Sequence, residues 1–183
     1  MKFEYRLVPL HLAHLDEAQS DTLVLYFFED ERPLKGLAGL VDWRLNGKLT
    51  SFLLDNRVTG AFRECTLYPV PARLPIAKLL LIGLGDRRGF NGGKFQIVTS
   101  FTMDTLRKLG VADFALAFPR KPYLKISVRQ VLEIWMTECR LRLLTSHQSQ
   151  ISTTFVIEKD DHNTAQAYIQ EYLREYVAST RER

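Results

Sequence analysis

One short stretch of this 183-residue chain, Gly83 to Gly93 (GLGDRRGFNGG), gathers groups that could hold an anion. It follows an apolar run, Lys78 to Gly83 (KLLLIG), and precedes a helical pattern. A strand that ends this way delivers free backbone N–H groups to a helix start, where the dipole favours negative charge. Gly83, Gly85, Gly89, Gly92 and Gly93 would let the backbone approach a phosphate closely, and Asp86, Arg87 and Arg88 complete the set, the arginines as bidentate donors. The spacing is neither Gly-x-Gly-x-x-Gly nor a phosphate loop ending in Gly-Lys-Ser/Thr. The same glycines would also serve a tight strand-to-helix turn with a solvated tip. Both readings stay open at this level.

Other reactive side chains are scattered. His11 and His14 form an H-x-x-H pair beside Asp16 and Glu17, but no third ligand stands at metal-site spacing, so no metal is expected. His147 and His162 stand alone in polar stretches and read as surface residues. Cys65 and Cys139 make no zinc set and no disulfide framework, which points to a reduced, cytoplasmic setting. Cys139 shares an apolar helical stripe with Trp135 and reads as packed. Tyr168, Tyr172 and Tyr176 fall on one side of the last helix, where they serve either the core or a subunit interface. No cofactor motif occurs, and no cofactor is expected.

The elements that must position these groups alternate between period 2 and period 3.6, the pattern of an α/β layer fold. Strands are expected at FEYRLV, TLVLYFF, CTLYPV, KLLLIG, ADFALAF and STTFVIE. Pro69 confines CTLYPV to an edge or an end of the sheet. Helices are expected around Leu34–Val41 and Leu49–Leu53, and over about Lys94–Leu109 and Ser127–Leu144; a last one starts near Asp161. Ile134, Met136 and Leu141 widen the apolar stripe of the Ser127–Leu144 helix, so it should touch neighbours on two faces. Strands followed by helices imply parallel crossovers, whereas the shorter N-terminal connections would allow antiparallel pairing there. The expected product is one domain, a three-layer α/β/α sandwich with a mixed, mainly parallel sheet of about six strands.

Charge says little about a partner. The chain carries 25 Lys and Arg against 21 Asp and Glu, a net +4. Between Asp86 and Arg142 there are 11 basic and 5 acidic residues, a mild surplus that could attract nucleic acid. No apolar run approaches the roughly 20 residues a membrane span needs, and the alternating Met1–Leu10 segment does not read as a signal peptide.

In order, the chain resembles the N-terminal domain of the leucyl aminopeptidases of the M17 metallopeptidase family. The likeness rests on the buried strand TLVLYFFED, a leucine-rich helix around Leu37–Leu45, the segment Gly60–Pro71, and the strand AKLLLIGLG. A long helix, ADFALAF, another long helix, STTFVIE and a final helix follow in the same order. The resemblance implies a macro-domain-like fold. It also implies that aminopeptidase activity would need two metals held by a lysine and several carboxylates in a following domain. The motif Asn-Thr-Asp-Ala-Glu-Gly-Arg of that domain is absent, and His162-Asn163-Thr164-Ala165 shares only Asn-Thr with it. The expected function is therefore non-catalytic: self-association, docking on a full-length aminopeptidase, or regulation. A binder or hydrolase of ADP-ribose or a similar nucleotide at Gly83–Gly93 is the alternative, and nucleic-acid binding through the basic stretch is a weaker one.

Overall fold

A computed structural model describes residues 2–11, 14, 20–70, 74–119, 125–144 and 150–181. In chain order the elements are β1 (Lys2–Pro9), β2 (Ser20–Phe27), α1 (Gly36–Arg44), α2 (Lys48–Leu54), β3 (Cys65–Pro69) and β4 (Ile76–Gly83). They continue with α3 (Gly92–Lys108), β5 (Asp113–Leu116), α4 (Val128–Leu144), β6 (Gln150–Ile157) and α5 (His162–Arg181). The six strands form one sheet in the order β1-β6-β5-β2-β4-β3.

β2 shows why the sheet sits in the middle of three layers. Its sequence is apolar without alternation because both faces are covered. Leu23, Leu25 and Phe27 meet α1 and α2 through Leu37, Val41, Leu49 and Phe52. Val24, Tyr26 and Phe28 meet the α3, α4 and α5 layer, where Phe95, Val98, Leu132 and Trp135 are buried. Trp135 is fully buried among the rings of Phe114, Phe118 and Phe155, with centroids 6.1, 6.3 and 6.5 Å away. As its wide apolar stripe requires, α4 packs on both α3 and α5. Arg142 ties α4 to α3, reaching Ser100, Asp104 (3.4 Å) and the buried Glu138 (3.5 Å).

The antiparallel pairing that the shorter N-terminal connections would allow occurs at β3 and not at β1 or β2. β1 runs parallel to β6, and β2 runs parallel to both β4 and β5. Among the described strands only β3 is antiparallel. The cause is connection length: residues 70–75 between β3 and β4 are too few for a crossover, so the chain turns back on itself. Pro69 closes β3 at the sheet edge.

Candidate functional site

The Gly83–Gly93 loop lies beyond the carboxyl end of β4, as its sequence position requires; several of its groups are engaged within the fold, while Arg88 is exposed. Leu84 N–H donates to Phe27 O (2.9 Å), Gly85 N–H to Gly60 O (2.9 Å), and Gly85 O accepts from Glu29 N–H (3.1 Å). A Cβ at Gly83 would stand 2.0 Å from Ala61 O, so this glycine exists to let the 60–64 loop cross the strand end. Gly85 holds a φ of +74° and is buried against Phe62. Arg87 grips Asp30: Nε donates to Oδ2 (2.9 Å), the backbone N–H to Oδ1 (3.2 Å), and Nη2 to the Asp30 carbonyl (3.0 Å). Partial burial pushes the Asp30 carboxyl up, but the Arg87 hydrogen bonds and charge outweigh it and hold the group below its ordinary value.

Asp86 accepts from Arg88 N–H (2.8 Å) and caps the single turn Arg87–Gly89. Phe90, buried, plants its ring edge-on against Phe28 at 5.1 Å. Asn91 then caps α3, its Oδ1 accepting from Lys94 N–H (3.0 Å). Gly89 and Gly93 are exposed and Gly92 is half-buried. One of the amides that the sequence offered to an anion at the start of α3, that of Lys94, thus carries a side-chain cap.

An opening lies one strand away, between the carboxyl ends of β2 and β5. These neighbours send their chains in opposite directions, β2 to α1 on one face and β5 to α4 on the other. That makes their junction the switch point of the sheet, where ligands of open α/β sheets sit. Two adjoining hollows of about 50 and 30 Å³ share Gly36, Leu37, Ala117, Phe118 and Pro119. Lys35 and the buried Glu31 line the smaller one, and Glu158 and the buried Asp161 line the larger. The start of α1 opens into both. Its N-cap, Lys35, provides no capping hydrogen bond, no acidic residue lies in its first turn, and Gly36 has a φ of +56°. Arg32 fixes the preceding loop, donating to Phe28 O (3.1 Å), Glu31 O (2.9 Å) and Thr59 O (3.1 Å). Sequence reading passed over Lys35–Leu37, although a signal was present: a buried strand followed by a helix with no Ser, Thr, Asp or Asn at its start.

The remaining candidates fall elsewhere. Tyr168, Tyr172 and Tyr176 pack on the core; the Tyr176 ring meets Phe3 edge-on at 5.3 Å, and Arg129 lies over Tyr168 at 4.9 Å. The His11 and His14 rings are 6.0 Å apart, while Asp16, Glu17 and His147 lie outside the described residues. His162 is half-buried at the start of α5. Among the described residues no group of three His, Cys, Asp or Glu is placed to hold a metal ion. Burial pushes the Cys139 thiol far up, and that of Cys65 up as well, so neither is activated as a nucleophile. Within the basic stretch, Arg107 and Arg142 pair with Asp104, Arg129 with Glu171, and Arg87 with Asp30. No helix among the described residues is long and apolar enough to cross a membrane.

Comparison with known proteins agrees with this fold. In solved structures the fold is like that of a Trypanosoma brucei macrodomain in complex with ADP-ribose, with a TM-score of 0.69 and 15% identity over 91% of this chain and 69% of that one. It is also like a tomato leucine aminopeptidase mutant, with a TM-score of 0.63 and 13% identity over 91% of this chain and 35% of that one. In sequence, a probable cytosol aminopeptidase of Trichormus variabilis is 30% identical over 96 residues, 52% of this chain and 17% of that protein. One of Synechocystis is 34% identical over 73 residues, 40% of this chain and 15% of that protein. The chain thus spans about a sixth of the length of these curated relatives. The sequence model of the cytosol aminopeptidase family's N-terminal domain matches residues 23–139, and the chain belongs to that family through this domain.

Proposed function

We propose that residues 1–183 form one macro-like, non-catalytic domain that binds a nucleotide-type ligand of the ADP-ribose class in the β2/β5 crevice. The observation that carries the reading is the helix start at Lys35–Leu37, whose N-cap residue makes no capping hydrogen bond and which opens at the switch point of the sheet. The positive dipole end of this helix suits a diphosphate, and Lys35 adds a charge beside it. The apolar walls of Leu37, Ala117 and Phe118 suit a flat base. The fold likeness to macrodomains in complex with ADP and with ADP-ribose supports a ligand of this class. Two free cysteines are in keeping with a reduced, cytoplasmic setting.

Calorimetry with ADP-ribose separates the crevice from the glycine loop. Lys35→Glu should weaken binding roughly fivefold or more at low salt, and Arg87→Ala should leave it unchanged because Arg87 is occupied by Asp30. The reverse ranking would return the site to the glycine loop. Absence of a non-catalytic role would show as metal-dependent release of leucine from Leu-p-nitroanilide by the pure chain.

A second reading, docking on a full-length aminopeptidase or another regulatory partner, is favoured by one surface. Trp43 (66% exposed) borders a hollow of about 560 Å³ that Pro33, Leu34 and Gly39 also line. Co-sedimentation with a full-length aminopeptidase, lost in Trp43→Ala, tests it.

A further inference from the structure

The two edges of the sheet differ in how they are protected. β1 carries Lys2, Glu4 and Arg6, the kind of charges that keep an edge from pairing with another chain. β3, Cys65–Pro69, carries no charge. Its side chains at Cys65, Leu67 and Pro69 are exposed, Leu67 at 44%.

The hydrogen-bond phase of β3 follows from its neighbours. Val70 N–H donates to Ala77 O (3.0 Å), and Glu64 O accepts from Gly83 N–H (2.9 Å). In an antiparallel pair the bonded positions alternate, so residues 64, 66, 68 and 70 direct their backbone groups to β4. Cys65, Leu67 and Pro69 therefore direct theirs outward, where no described strand pairs with them. Pro69 lacks an N–H and occupies an outward position, so it costs the β4 ladder nothing.

We propose that β3 is an interface for a second copy of this chain, joined antiparallel across a two-fold axis at Leu67. In that register Leu67 exchanges two N–H···O bonds with the Leu67 of the second copy, and each Cys65 N–H meets a Pro69 carbonyl. The one donor that Pro69 lacks is matched by leaving one Cys65 carbonyl per chain to water, and every outward N–H of the strand is used. Thr66 then faces Tyr68 of the second copy, a β-branched and aromatic pair of the kind that stabilises cross-strand contacts. An isologous pairing closes at two chains. Ile97, 48% exposed, adds apolar surface on the same flank. It stands one turn before Phe101, over whose ring the guanidinium of Arg63, just before β3, lies at 5.0 Å.

This surface is separate from the β2/β5 crevice, so its failure leaves the nucleotide reading untouched. The test is sedimentation of the whole chain under reducing conditions, up to roughly 100 µM, where weak interfaces register. The wild type should show a dimer. Leu67→Lys, which sets two like charges face to face on the axis, should weaken it at least tenfold while circular dichroism and the melting midpoint hold. Hydrogen exchange on the wild type gives a readout that needs no variant: the Cys65 and Leu67 amides should slow as concentration rises. A wild type that stays monomeric, a dimer that survives in folded Leu67→Lys, or exchange at those two amides that ignores concentration would each overturn the proposal.

Discussion

Gly83 and Asp30 decide how the glycine loop is read. At Gly83 any side chain would meet the Ala61 carbonyl, and backbone on both sides leaves little room to move. Gly83→Ala should cost at least about 3 kcal/mol in a urea melt, in the class of severe backbone clashes; a loss below about 1 kcal/mol would mean the 60–64 loop is free to shift. Asp30 is held below its ordinary value of 3.8 once the Arg87 bonds outweigh burial. A carboxyl lowered on folding stabilises the native state above its unfolded pKa, and that contribution is lost as pH falls through the lower folded value. The stability gap between wild type and Arg87→Ala should therefore be full above about pH 4 and close below it. A gap independent of pH would show that Arg87 acts through its packing. These contacts were not legible in the sequence. Arg87 and Asp30 stand far apart along the chain and meet only because β2 and β4 are neighbours.

The elements themselves were legible wherever a pattern ran for several residues. TLVLYFF and KLLLIG emerge as β2 and β4 because burial on both faces removes alternation. CTLYPV lies at the edge that Pro69 demanded. Ser127 caps α4 in a reciprocal box: its N–H donates to Gln130 Oε1 (2.9 Å), and its hydroxyl accepts from Gln130 N–H (3.3 Å). Strand direction was not legible for β1, since parallel pairing with β6 is set by a partner at the other end of the chain. The start of α2 was opaque for a similar reason. Its N-cap is Gly47, and the capping carboxylate comes from Asp42 on α1, which accepts from Leu49 N–H (2.7 Å), Thr50 N–H (3.0 Å) and the Thr50 hydroxyl. Asp42→Ala should cost about 1 kcal/mol, the usual worth of an N-cap, read by chemical denaturation. No measurable loss would mean water replaces the carboxylate at the α2 start.

At the scale of the molecule, topology is what places the proposed crevice at a different strand end from the glycine loop. The sequence drew attention to the end of β4 because glycines and arginines cluster there. The sheet reverses its winding between β2 and β5 instead, and strand order is a property no local pattern encodes. Asn91 caps α3 and Arg87 is bonded to Asp30, whereas the helix that opens at this junction is α1, whose N-cap Lys35 makes no capping hydrogen bond. The central claim, a nucleotide-type ligand held there, is tested most directly by titrating isotope-labelled chain with ADP-ribose and following backbone amide resonances. Saturable shifts should concentrate on Lys35–Ala38 and Ala117–Phe118, with Arg87–Gly89 nearly still. No saturable shift by about 1 mM ligand, which half-fills a site worth about 4 kcal/mol, or shifts centred on Gly85–Gly93, would contradict the account.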